Sequence, residues 1–263
     1  MKKTIYIILS IVFLLAAKVT YSQLNMRIIV SGGVSFPSAD FKQDVPIVDT
    51  VREDWPYQLK IGYNLSAIGV LPLNKQKNIN LTFGLTYTSL SNNVGVIAPV
   101  AGGGNRDNNG LGTGSDVTFM PKIALYTLNL GGVYIFNIKK QFKQMLSMDI
   151  TGNFFTGNFD FDITNTGTYT PTDLKSTLRF GLQFGGALEY QINDNYGIYL
   201  GTKYNLANLV GRTADVSTQT ISIALGDKEH SENGIVRPSK TISYFQLSAG
   251  VVLYLNDNPE QKK

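Results

Sequence analysis

Between Met26 and Leu255 the sequence alternates apolar residues with small or polar ones in eight separate runs, and the spacers between runs alternate short and long. Period-2 alternation marks a strand with two unlike faces. In the second run, Tyr57, Leu59, Ile61, Tyr63, Leu65 and Ala67 lie on one face, and Gln58, Lys60, Gly62, Asn64 and Ser66 on the other. The sixth run is the clearest: Leu178, Phe180, Leu182, Phe184, Leu188 and Tyr190 oppose Arg179, Gly181, Gln183, Gly185 and Glu189. Val133 and Ile135 spoil the fourth run near its end, where a bulge or a strand end is expected. Short spacers fall near 73–78, 138–143 and 193–195, and long ones at 37–56, 91–117, 159–174 and 211–238. Up-and-down strands with tight turns at one end and long loops at the other predict an all-β fold, a closed antiparallel transmembrane barrel of eight strands. The alternating segment STQTISIAL (217–225) either extends the wall above the membrane or adds a hairpin, for ten.

A soluble sandwich would alternate too, so the choice turns on the polar faces. They consist of Gly, Asn, Thr and Ser, in a chain only 16% charged, which makes a poor water-facing surface. Turned inward, the same residues fit a narrow lumen, and the long apolar residues form a band for lipid. Closure follows, because an open sheet edge in hydrocarbon leaves N–H and C=O groups unpaired at several kcal/mol each. The inward row then carries a charge network of Arg27, Lys60, Asp149, Arg179, Glu189 and Lys203, with the two acids neutralising some of the cations. Aromatic residues near strand ends form interfacial girdles. Tyr134, Phe136, Tyr190, Tyr196 and Tyr254 are expected at the short-turn level, and Trp55, Tyr57, Tyr87, Phe154, Tyr204 and Phe245 at the long-loop level.

Residues 1–22 read as a secretory signal peptide: Lys2 and Lys3, an uncharged run from Ile5 to Ala17, then Thr20 and Ser22 before Gln23. The run falls short of the ~20 apolar residues a membrane helix needs. Cleavage removes Lys2, Lys3 and Lys18 and no acid, lowering the formal charge from +4 to +1, so a nucleic-acid partner is not implied. The expected organisation is a leader (1–22), a barrel domain (23–255) and a polar periplasmic tail (256–263).

These features, from residue 24 to about 255, resemble the small outer-membrane barrels of the OmpA, OmpX and OmpW kind. Gln23 and the closing YFQLSAGVVLYLN (244–256) resemble the outer-membrane β-barrel domain common in Bacteroidota, of porin-like or PorT-like type. The resemblance implies a bacterial outer-membrane location, lipid and the barrel-assembly machinery as partners, and a closing strand that serves as the assembly signal.

Catalytic and cofactor signals are weak. The chain has no Cys, and its one His, His230, lies in a polar stretch beside Glu229, Ser231 and Glu232, without a rigidly positioned nucleophile. The Gly-rich segment 101–116 has no Lys after its glycines and precedes no helix, so it is no phosphate cradle. Asp107, Asn109 and Asp116 match no calcium-loop spacing. No enzyme activity, cofactor or metal is expected. The expected role is a structural or interaction protein presenting extracellular loops, as a subunit of an envelope complex. The alternative is a narrow or laterally opening transporter of small or hydrophobic molecules.

Overall fold

A computed structural model describes residues 26–38, 41, 59–92, 96–99, 116–139, 141–163, 168–214, 222–232, 235–237 and 239–255. The expected leader and tail, Trp55, Tyr57 and most of the Gly-rich segment lie outside them. Eight long strands build the wall: β1 (Met26–Ser38), β2 (Gly62–Pro72), β3 (Ile79–Ser91), β4 (Asp116–Lys139), β5 (Phe142–Ile163), β6 (Thr177–Gln191), β7 (Tyr196–Val210) and β8 (Ser243–Leu255). Each pairs antiparallel with its sequence neighbours, and β8 pairs with β1 from Met26↔Leu255 to Ser38↔Ser243, which closes the ring. Every wall strand therefore has a partner on both sides, as a backbone in hydrocarbon requires.

The alternation is realised as expected from the eight runs. Leu200 is 50% exposed on the outside of β7, while Gln183 and Asn205 are 0% and 2% exposed inside. Large apolar residues cover the outer wall on all eight strands, among them Val30, Leu65, Leu85, Leu128, Ile150, Leu188, Ile198 and Leu247. On a water-soluble protein such a surface would drive aggregation; around a barrel it is the lipid-facing band. Val133 and Ile135 do not interrupt β4. Pairing with β5 runs in constant register through them as far as Asn137, and the irregularity falls at Asn137/Lys139 beside the turn. They point inward because part of the lumen is apolar.

β4 and β5, 24 and 22 residues long, far exceed the ~10 residues that cross a bilayer. Their outer halves continue beyond the ring as the centre of an extension of the same sheet, the outer sheet. Strand Val96–Pro99 adds to β4, Thr168–Leu174 adds to β5, and Ser222–Ile223 pairs in parallel with Asp173 and Leu174. Of the segment 217–225, Ser222 and Ile223 thus belong to this outer sheet and not to the wall, whose count among the described residues is eight; residues 217–221 lie outside the described residues. A separate small hairpin pairs His230–Glu232 with Ile235–Arg237.

Candidate functional site

The lumen is where the polar side chains converge, and it is filled in layers. At the short-turn mouth, inward positions of β1, β5 and β8 bring three groups together around Glu189 of β6, which is fully buried. Its carboxylate accepts Lys143 Nζ at 2.9 Å, Arg27 Nη1 at 3.3 Å and the Tyr254 hydroxyl at 2.7 Å. Arg27 also donates to Asn80 Oδ1 at 3.4 Å, and Lys143 Nζ lies 5.0 Å from the Tyr254 ring centroid. A buried carboxylate is tolerable only when paired and hydrogen-bonded, and here one acid is shared by two cations.

Above this cluster lies an apolar layer of Ile29, Ile68, Val70, Val133, Ile135, Met145, Tyr199 and Val252. Gly201 gives Tyr199 its place, since a Cβ there would sit 2.1 Å from the ring hydroxyl. The middle of the lumen is a belt of amides and hydroxyls. Lys203 donates to Gln183 Oε1, Gln183 to Asn205, Asn205 to Gln246, and Gln246 to Thr88, a directional chain that begins at a cation. Asn64 donates to Ser35 and accepts from Ser248; Asn153 accepts from Thr127 and donates to Thr151. Asp149 accepts the Thr82 hydroxyl. Such networks fix side chains because a missed partner costs a full desolvation penalty.

Between the belt and the lower apolar layer, Asp149, Lys203, Asn129 and Tyr199 border a cavity of about 30 Å³. That is space for two or so waters at 10–15 Å³ each. A second apolar layer caps the belt, with Phe41, Leu59, Leu90, Ile123, Leu125, Phe155, Leu174, Ala207, Leu225, Ile242 and Tyr244 all buried.

At the long-loop mouth Arg179 is 2% exposed and grips Asp227 in two bonds of 2.9 Å, Nε to Oδ2 and Nη2 to Oδ1. Asp227 belongs to the loop between β7 and β8. A register shift between Phe180 and Leu182 on β6, opposite Leu206 to Val210, accompanies a buried Asn208 on β7. Asn208 donates to Asp227 Oδ2 at 2.9 Å, and the Thr213 amide donates to Oδ1 at 3.0 Å. Burial alone would raise the Asp227 pKa, but the hydrogen bonds from Arg179, Asn208 and Thr213 and the Arg179 charge hold it below the ordinary carboxylate value.

Of the expected charge network, Arg27 and Glu189 meet at one mouth and Arg179 stands at the other. Asp149 and Lys203 border the central cavity. Lys60 is a correction: it lies outside the lumen, exposed at the long-loop rim, because it precedes the first wall residue of β2, Gly62. Sequence reasoning missed Lys143, which shares its inward parity with Asp149, and Asp227, for which a loop offers no periodic signal.

Tyr254 is the second correction. It is 8% exposed and points inward, sharing the parity of Tyr244 and Gln246, so it is no girdle residue. Tyr134, Phe136, Tyr190 and Tyr196 are exposed on the wall beside the short turns, and Tyr204 and Phe245 farther up. Along β7, Tyr196 to Tyr204 spans about 20 Å of height at ~3.3 Å per residue and ~40° tilt, close to the apolar band expected. Tyr87 is half-buried in a row with Tyr63 and Tyr126, at centroid distances of 5.8 and 5.2 Å.

No family model and no curated protein matches the chain. Among solved structures it is similar to Neisserial surface protein A, at 13% identity and a TM-score of 0.44, covering 88% of this chain and 97% of that one. It is similar to a major outer membrane protein from Thermus thermophilus, at 13% and 0.42, covering 87% and 98%. It is also similar to outer membrane protein OprG from Pseudomonas aeruginosa, at 10% and 0.41, covering 89% and 97%. What defines the chain is its own ring of eight antiparallel strands, a closed transmembrane barrel with a packed lumen.

Proposed function

We propose that the protein is a closed anchor in a bacterial outer membrane, a structural or interaction protein that displays its long-loop end at the cell surface as a subunit of an envelope complex. The short turns then face the periplasm. The observation that supports this over a conduit is the filling of the lumen: two packed apolar layers flank the polar belt, and the cavity bordered by Asp149 and Lys203 is about 30 Å³. An ion crossing either layer would shed its hydration without a replacement, at a cost of many kcal/mol. The outer sheet built on β4 and β5 is the element offered to a partner. Lipid holds the wall, and the barrel-assembly machinery inserts it, with β8 as the closing strand. The reading includes no catalytic step.

The test has two arms. The folded chain in planar bilayers and loaded liposomes is expected to pass neither salt nor small sugars. Gentle extraction from native membranes is expected to bring a stoichiometric envelope protein with it. Steady conductance, or solute release by a chain that always purifies alone, overturns the anchor in favour of transport.

A further inference from the structure

The short-turn rim is charged unevenly. The turn between β2 and β3 exposes Lys75 and Lys77, and the turn between β4 and β5 exposes Lys139. Because β3 and β4 are neighbours, these two turns stand side by side. They are also fastened together: the Ile135 amide donates to Asn78 O at 2.8 Å, and Asn78 Nδ2 donates to the Tyr134 hydroxyl at 3.2 Å. The first turn is itself tightly built. Asn74 Oδ1 accepts the Asn78 and Ile79 amides, and Lys77 adopts a left-handed φ of 58°. The third turn, between β6 and β7 and beside the β4–β5 turn on its other flank, carries Asp194 and no cation. Among the described residues no carboxylate pairs with Lys75, Lys77 or Lys139, whereas Arg27 and Lys143 are committed to Glu189.

Within three residues of Lys75 and Lys139 along the same strand ends are exposed apolar residues: Leu73 at 63%, Ile138 at 53% and Phe136 at 43%. They continue the lipid-facing wall down to the charged level, so this sector presents acyl-chain contacts and cations in one surface.

We propose that this sector binds anionic phospholipid, with the headgroup phosphate on Lys75, Lys77 and Lys139 and the acyl chains along Leu73, Phe136 and Ile138. Three features favour a lipid. The cations sit at the end of an apolar wall, the patch is continuous with that wall, and the rigid turns hold the charges without internal neutralisation. A basic residue at an anionic membrane surface contributes about fivefold in affinity, so three cations give a preference of roughly a hundredfold over a zwitterionic headgroup at low salt. The inference requires only that the barrel spans a bilayer, so a conducting lumen would leave it standing.

The test is native mass spectrometry of the folded full-length chain with equimolar phosphatidylglycerol and phosphatidylcholine of matched chains. One or two phosphatidylglycerol molecules per barrel are expected to survive detergent removal, with the preference weakening as salt rises. K75Q/K77Q/K139Q is expected to lose most of it while retaining the compact, heat-modifiable form on gels, and K60Q at the opposite rim is expected to keep it. Equal retention of both lipids overturns the proposal, as does undiminished preference in the triple variant. Displacement of the lipid by soluble polyglutamate at equal charge concentration also overturns it, in favour of an acidic protein partner.

Discussion

The two mouths of the lumen solve the same electrostatic problem with different parts. At the short-turn end, Arg27, Lys143, Glu189 and Tyr254 all stand on wall strands, so the cluster is set once the barrel closes. At the long-loop end, Arg179 and Asn208 are supplied by the wall but Asp227 by a loop, and the ion pair exists only when that loop is seated. The first cluster therefore belongs to barrel stability. The second belongs to the conformation of one loop, along with Leu225 and Ile242, which enter the upper apolar layer beside it.

That division makes the largest expected effect Glu189→Ala. It leaves two half-buried cations facing each other, a loss of about 3–4 kcal/mol that appears in global urea unfolding in micelles. Asp227→Ala strands Arg179 with a local cost of about 3 kcal/mol. Its signature is rapid proteolysis between residues 211 and 242 with the barrel's unfolding midpoint nearly unchanged; coincident loss of both would show that the loop and wall are one cooperative unit. Tyr254→Phe removes one hydrogen bond to a charged acceptor, for about 1.5–2 kcal/mol in the same urea experiment, and places Tyr254 in the lumen. A true girdle position would lose almost nothing.

Acid separates the mouths by another route. Asp227 has a folded pKa below its unfolded value, so its contribution is complete above the ordinary carboxylate range and disappears as pH falls through the lower, folded value. Loop proteolysis by an acid-tolerant protease is expected to rise across that window, and Asp227→Asn to flatten the response. Smallest of all, Lys60→Gln is expected to move stability by less than about 0.5 kcal/mol, since Lys60 is exposed beyond the wall.

The wall is legible in the sequence because hydrocarbon imposes one rule on every strand: successive side chains meet opposite solvents. Parity alone places Arg27, Asp149, Arg179, Glu189 and Lys203 on the inward face. It also assigns Tyr254 correctly, and only the expectation of an aromatic at the interface displaces that assignment. Val133 and Ile135 mislead because a polar lumen is the simplest assumption, whereas the lumen is layered. Lys60 obeys parity but lies past the strand end, where parity has no meaning. Asp227 has no local signal, because its role comes from a contact with Arg179 on another element, and no spacing along the chain records that distance.

β4 and β5 run without interruption from the short turn into the outer sheet. At ~3.3 Å per residue and ~40° tilt, a strand of 24 residues rises about 60 Å, against an apolar band of about 25 Å. The hairpin is a mast whose tip clears the headgroups. A pull on that tip would load the interstrand bonds in shear, many at a time, and pass the force into the bilayer-embedded base without first peeling the ring open.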